Sequence, residues 1–139
     1  MKKINCILLI DDNVADNEFH KIIIKKSGLC DDVRVVTDGK KALEYLENTD
    51  KKNQSEFSPL PELIYLDINM PGMNGFEFLE AYKKTAEKLH SKVVIVMLTT
   101  SLNNIDQIRA EASNEVDEFQ IKPLTEDSLK NTIEKYFYL

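Results

Sequence analysis

Acidic side chains, a hydroxyl and a lysine follow four of the short apolar runs in this sequence. They are Asp11 and Asp12, Asp67, Thr99, and Lys122. If the runs are strands of one parallel sheet, these residues meet at its carboxyl edge, where doubly wound folds bind ligands. Two carboxylates about 4 Å apart repel by roughly 4 kcal/mol at an effective dielectric of about 20. A hard divalent cation would offset that repulsion, and Mg²⁺ suits a site that also holds a phosphate.

Such a set of residues could carry out phosphoryl transfer. A carboxylate can act as a nucleophile and accept a phosphoryl group as an acyl phosphate. The transfer needs alignment and charge neutralisation, which a cation, the ammonium of Lys122 and the hydroxyl of Thr99 can provide. Pro123 follows Lys122, and its fixed backbone would help to aim the lysine.

Five strands and five helices are predicted to position these residues. Apolar runs predict the strands, at 4–10, 33–36, 63–66, 93–98 and 116–121. Apolar residues at helical spacing after each run predict the helices. Strict alternation with buried strands predicts an α/β fold, a doubly wound five-stranded parallel sheet of order 2-1-3-4-5 with five helices, flavodoxin-like.

The spacing of apolar residues also predicts helix faces and helix ends. In the first helix Phe19, Ile22 and Ile23 recur at helical spacing, and Gly28 is a plausible stop signal. For the last helix Thr125 is predicted as the N-cap, because two acidic residues follow it in the first turn.

The bulk composition fits one folded domain and excludes several classes of function. The 139 residues, 42% apolar and 30% charged, are typical of one soluble domain. A net charge of −6 argues against direct nucleic-acid binding, because that affinity comes largely from cations that neutralise phosphates. The longest apolar run, 93–98, is too short to span a membrane. We expect a cytoplasmic protein with a single domain over 1–139 and no output domain.

Four motifs, in this order, resemble the signature of the two-component response-regulator receiver family. They are Asp11-Asp12, LDINMPGMNG at 66–75, LTTS at 98–101, and Lys122-Pro123. Each motif follows its own predicted strand, and the similarity covers essentially the whole chain. The resemblance implies a signalling domain that accepts a phosphoryl group from a sensor histidine kinase or phosphotransfer protein. It implies no enzyme activity beyond the domain's own phosphorylation and dephosphorylation.

The resemblance also implies a role for each residue of the acidic group. Asp67 would be the phospho-acceptor. Asp12 would bind Mg²⁺ directly and Asp11 largely through water, while Asn69 would offer its backbone carbonyl to the metal.

Further residues would carry the signal outward by the same resemblance. Thr99 and Lys122 would hold the phosphoryl oxygens, and Phe119 falls at the family's switch aromatic position. A surface change driven by phosphorylation would then reach a downstream protein partner, or a second copy in a homodimer, through the fourth helix, fifth strand and fifth helix. An ordinary core role for Phe119 is an equally open interpretation.

The sequence departs from the family pattern at two places. The loop predicted at 48–61 is longer than expected and suggests a partner-specific surface. Thr100 stands where the family often has a small residue, and its bulk could slow the access of water to the phosphoryl group. The long loop and the Thr-Thr-Ser sequence resemble single-domain receivers that serve phytochrome-like kinases.

Other interpretations of the same residues stay open at this point. A haloacid-dehalogenase-like phosphatase would also use an aspartate nucleophile, but it needs a second aspartate where Asn69 stands. An EF-hand loop beginning at Asp67 fails at Pro71 and Phe78. A binding module that no longer accepts a phosphoryl group would not need all of the candidate site residues, namely Asp11, Asp12, Asp67, Thr99 and Lys122. His20 and His90 lack metal-ligand spacing and are predicted to lie on the surface.

Overall fold

Five parallel strands form one sheet in the computed structural model, which describes residues 3–49, 59–89 and 92–138. The strand order is β2-β1-β3-β4-β5, and every neighbouring pair is parallel. The elements, in chain order, are β1 Cys6–Ile10, α1 Val14–Ser27, β2 Asp32–Val36, α2 Gly39–Thr49, β3 Leu63–Leu66, α3 Gly75–Lys88, β4 Val94–Thr99, α4 Asn104–Ala112, β5 Glu118–Ile121 and α5 Glu126–Phe137. The predicted fold class is confirmed.

The core consists of two apolar layers, one on each face of the sheet. Strands β1, β3 and β4 are buried along their whole length. Alternate residues of β1 point to opposite faces: Leu8 and Ile10 pack with α2, α3 and α4, whereas Ile7 and Leu9 pack with α1 and α5. This two-sided burial explains why the strands are apolar throughout, and why only their ends are free for polar chemistry.

Local sequence signals set several helix ends. Gly28 adopts the left-handed conformation, with φ of 72°, at the end of α1. The Thr125 side chain caps α5 and accepts a hydrogen bond from the backbone N–H of Ser128 at 3.0 Å. Both predictions are confirmed. The capping side chains satisfy backbone N–H groups that a helix start leaves without partners.

The buried face of α1 differs in part from the predicted one. Ile23 is half-buried and packs against the core as its spacing predicts, but Phe19 and Ile22 are 47% and 61% exposed. The buried residues of the helix are Asn17, His20 and Ile24. The prediction of a surface position for His20 was therefore wrong. The buried residues lie three and four apart on one side of the helix: Ile24 packs in the apolar layer, and the polar side chains of Asn17 and His20 contact the carboxyl edge of the sheet.

Some element bounds also differ from the predicted ones. Strand β1 begins at Cys6 rather than residue 4, and β5 begins at Glu118 rather than residue 116. Helix α2 continues to Thr49, so the predicted loop at 48–61 begins later. Residues 50–58 of that loop and His90 lie outside the described residues. Within the described ranges, no helix has the length and apolarity needed to cross a membrane.

Candidate functional site

Three carboxylates converge at the carboxyl edge of the sheet. Asp11 and Asp12 follow β1, and Asp67 follows β3, the neighbouring strand. One oxygen from each lies within 4.8 Å of the others, with Asp11 and Asp67 buried and Asp12 exposed. Oxygen donors grouped in this way suit a hard divalent cation.

Lys122 brings a positive charge into this acidic group. Its Nζ lies 2.6 Å from Asp11 Oδ2, 2.8 Å from Asp16 Oδ2 and 3.7 Å from Asp67 Oδ1. Burial opposes the lysine charge, but hydrogen bonds to Asp11 and Asp16 outweigh burial and raise the pKa of Lys122. The ammonium therefore stays protonated and partly neutralises the carboxylates.

The negative charge of an ionised Asp67 is only partly compensated in this arrangement. Burial, followed by the negative charge of Asp11, raises the pKa of Asp67 to about 6, although Lys122 acts in the opposite direction. One lysine therefore does not offset the whole cluster. Added positive charge would stabilise the ionised form of Asp67, which is the form that a cation or an electrophile needs.

The start of α1 orients Asp11. The Asp11 side chain accepts a hydrogen bond from the Asn13 backbone N–H at 2.9 Å, and its carbonyl oxygen accepts one from Asn17 Nδ2 at 2.8 Å. Asn13 also caps the helix, accepting from the Asp16 N–H at 3.0 Å. The same turn therefore holds both carboxylates that accept hydrogen bonds from Lys122.

Thr99 and Lys122 are aligned by the pairing of the last two strands. Thr99 is fully buried at the end of β4, and its carbonyl oxygen accepts a hydrogen bond from the Lys122 N–H at 2.8 Å. The peptide bond between Lys122 and Pro123 is cis. This backbone contact brings the hydroxyl and the lysine to the same edge as Asp67.

The remaining predicted residues lie nearby but outside the carboxylate group. Asn69 is exposed two residues after Asp67. Phe119 is half-buried in β5, in register with Met97, and packs against the core. The segment after Asp67 leads from a strand into α3, which excludes the helix–loop–helix arrangement of an EF-hand.

Sequence reasoning missed three residues on the buried side of α1. Asp16 contacts Lys122 directly, Asn17 donates to the backbone of Asp11, and His20 Nε2 accepts a hydrogen bond from the Leu124 N–H at 3.4 Å. The available signal was their spacing, because residues 16, 17 and 20 share a helix side that begins just after Asp12.

A comparison with protein families distinguishes the receiver from the phosphatase interpretation. Residues 7–134 match the response regulator receiver domain. The chain belongs to this family. Receiver domains are signalling domains, so this match favours the receiver interpretation over a haloacid-dehalogenase-like phosphatase.

The receiver is similar to proteins of varied origin. It is 34% identical over 129 residues to the probable methanogenesis regulatory protein FilR2 of Methanothrix harundinacea, covering 93% of this chain and 79% of FilR2. A two-component response regulator from Cytophaga hutchinsonii has a solved structure that superposes with a TM-score of 0.86 at 34% identity, over 99% of this receiver and 100% of that chain.

The phytochrome-associated group is also among the similar proteins. The bacteriophytochrome response regulator AtBRR superposes with a TM-score of 0.76 at 28% identity, over 99% of this chain and 95% of AtBRR. The receiver spans 66% of the length of Synechocystis response regulator Rcp1, to which it is 33% identical over 102 residues and 73% of this chain. The resemblance to this group is confirmed.

Proposed function

We propose that this receiver accepts a phosphoryl group on Asp67 from a sensor histidine kinase or phosphotransfer protein. The observation that supports the proposal is the position of Asp67, which is buried beside Asp11 and 3.7 Å from the Lys122 ammonium. An Asp67 oxygen would attack the phosphorus of a phosphohistidine. The P–O bond forms as the P–N bond breaks, and the electron pair stays on the imidazole nitrogen, which takes up a proton.

Mg²⁺ fits the donor set of this site. The side chains of Asp11, Asp12 and Asp67 would hold it with the backbone carbonyl of Asn69, because three carboxylates lie together and the pKa of Asp67 is raised. When bound, Mg²⁺ supplies positive charge that neutralises the carboxylates and the phosphoryl oxygens. The related Rcp1 has been solved in a Mn²⁺-bound form, which supports a divalent cation here.

Thr99 and Lys122 would hold the phosphoryl oxygens. The Lys122 ammonium and the Thr99 hydroxyl are donors at the edge of the sheet, and charge-assisted hydrogen bonds to an anion are stronger than neutral ones. Thr100 is exposed directly after Thr99. Its bulk would restrict the access of the water molecule that hydrolyses the acyl phosphate to inorganic phosphate.

The signal would leave through the surface formed by α4, β5 and α5, which we call the output face. Movement of Thr99 toward the phosphate would open space that Phe119 fills, since packed interiors tolerate few voids. Large apolar side chains are exposed on and beside this face, namely Leu102, Ile105, Ile108 and Ile121. A downstream partner or a second copy of the chain would cover them. This function would operate in the cytoplasm, where kinases have access to ATP. That residues 1–139 form a single receiver domain stays a prediction.

Intact mass spectrometry after incubation with acetyl phosphate and Mg²⁺ tests the proposed function. We expect a mass gain of one phosphoryl group that hydroxylamine removes and that chelation of Mg²⁺ prevents. The variant Asp67→Asn should show no gain, whereas Asp31→Asn, a matched change of an exposed carboxylate, should behave as wild type. An undiminished gain in Asp67→Asn would exclude Asp67 as the acceptor.

A further inference from the structure

Lys122 is shared among three carboxylates that are not equivalent. Asp11 and Asp67 belong to the group whose oxygens lie within 4.8 Å of one another, and Asp16 is outside that group. Yet Asp16 Oδ2 lies 2.8 Å from Lys122 Nζ, much closer than Asp67 Oδ1 at 3.7 Å. The ammonium therefore contacts a carboxylate that takes no part in the acidic cluster.

The position of Asp16 in α1 fixes its backbone beside the site. It lies in the first turn of the helix, and its N–H donates to the capping side chain of Asn13 at 3.0 Å. A carboxylate at a helix N-terminus is stabilised by the helix dipole. The Asp16 side chain is 34% exposed, whereas that of Lys122 is 8% exposed. The contact therefore joins a buried cation to an anion at the rim of the site.

The geometry implies competition for the Lys122 ammonium. A lysine ammonium has three N–H donors, and Asp11 and Asp16 accept hydrogen bonds at 2.6 and 2.8 Å. The 3.7 Å separation from Asp67 is too long for a hydrogen bond. The third N–H remains for a phosphoryl group on Asp67, which would therefore share the charge of the ammonium with Asp11 and Asp16.

A bound cation would affect Asp11 and Asp16 differently. A cation held by the acidic cluster compensates the charge of Asp11 and weakens its attraction for Lys122. Asp16, outside the cluster, keeps its charge and its contact with the lysine. Asp16 therefore becomes the main competitor of the phosphoryl group when the metal is in place.

We propose that Asp16 is a positioning residue that draws Lys122 away from the phosphoryl group on Asp67 and so limits the stability of the phosphorylated state. This inference rests on the proposed function of Asp67. Replacing Asp16 by asparagine keeps the size of the side chain and removes the charge. The freed lysine should then bind the phosphoryl group more tightly.

Titration with beryllofluoride, a phosphoryl mimic, at saturating Mg²⁺ tests the proposal, with ¹⁹F NMR as the readout. We expect Asp16→Asn to bind the mimic about three- to five-fold more tightly than wild type, because an ion pair with one partly exposed member is worth up to about 1 kcal/mol. Glu18→Gln is the matched control, since it removes an exposed carboxylate from the same helix. It should leave the affinity within about two-fold of wild type.

A double-mutant cycle tests whether Asp16 acts through the lysine. In a Lys122→Gln background, Asp16→Asn should no longer change the affinity for the mimic. A second readout needs neither metal nor mimic: the ¹⁵N-detected ammonium signal of Lys122 should exchange faster with water in Asp16→Asn than in wild type or Glu18→Gln.

The outcomes separate this inference from the proposed function. If wild type binds the mimic and Asp16→Asn binds it equally or more weakly, the positioning role is wrong and the function of Asp67 stands. An equal gain in affinity for the mimic from Asp16→Asn in the Lys122→Gln background also overturns the inference. The gain would then come from the loss of negative charge near the site and not from the lysine. A wild type that takes up no beryllofluoride overturns both.

Discussion

A side-chain carbon at Gly75 would lie 2.5 Å from the carbonyl oxygen of Asp67 and 3.0 Å from the Cα of Ile68. The first residue of α3 therefore packs directly against the backbone that carries Asp67, the proposed phospho-acceptor. The Gly75 N–H donates to the Ile68 carbonyl oxygen at 2.8 Å and closes the turn. The absence of a side chain at residue 75 thus allows the helix to approach the site.

Gly75→Ala should destabilise the protein and slow its phosphorylation. The added methyl meets backbone atoms that cannot rotate away, so we expect a loss of about 1–3 kcal/mol in the free energy of unfolding, as for overpacking elsewhere. Urea unfolding and the rate of the acetyl phosphate reaction measure the two effects. Gly72→Asn is the control, in the loop just before α3, because residue 72 has open space around it and asparagine tolerates its positive φ of 78°. Equal stability of the two variants would contradict the packing argument.

Asp67→Asn should stabilise the metal-free protein. The native state keeps the Asp67 proton up to about pH 6, whereas the unfolded chain releases it near the ordinary pKa of 3.8. Above pH 6 the native state therefore holds an ionised carboxylate in a buried position, and unfolding would remove the cost of burying that charge. We expect the variant to gain about 1–3 kcal/mol in unfolding free energy at pH 7. The gain should shrink toward pH 4 and vanish below it.

Urea unfolding in the presence of a chelator measures this stabilisation. The matched variant Asp12→Asn removes an exposed carboxylate of the same cluster, so its gain should be smaller. A gain for Asp67→Asn no larger than that of Asp12→Asn would show that burial of Asp67 is not the cause.

His20 should make stability fall in mildly acidic solution. Burial, and next the charge of Lys122, lower the pKa of His20 below its ordinary value of 6.5, while Asp16 and Asp11 act in the opposite direction. Below pH 6.5 the unfolded chain binds a proton that the native state does not, so the free energy of unfolding decreases as the pH is lowered. The decline ends below the pKa of the folded state.

Comparison of wild type with His20→Gln isolates that contribution. Glutamine cannot titrate and still offers an acceptor for the Leu124 N–H. The free energy of unfolding of wild type, measured by urea unfolding relative to that of the variant, should decrease as the pH is lowered from about 8 to about 5. A constant difference across this range would mean that His20 keeps its ordinary pKa.

Thr99→Ala should separate phosphorylation from its output. The variant keeps Asp67 and Lys122, so it should still accept a phosphoryl group, although more slowly because one donor is missing. It should lose the coupled movement of Phe119, which lies one strand away on β5. Fluorine NMR of labelled Phe119, with and without beryllofluoride, would detect this. An equal response in wild type and Thr99→Ala would leave the coupling unsupported.

The sequence was sufficient to predict the order of the elements and the placement of the main site residues. Apolar runs such as 63–66 predict buried strands, and a parallel sheet brings their carboxyl ends to one edge. The sequence alone therefore places Asp11, Asp67 and Lys122 together. Local signals also predicted the helix end at Gly28 and the N-cap at Thr125, because capping depends on adjacent residues.

Only the tertiary structure decided which side of α1 is buried and which contacts the lysine makes. The apolar spacing of Phe19 and Ile22 favoured a face that the fold leaves exposed, since the rotation of a helix depends on what it packs against. That packing turns Asp16, Asn17 and His20 toward the site. Contacts between residues 16 and 122 arise from the path of the whole chain, and local periodicity carries no information about such long-range distances.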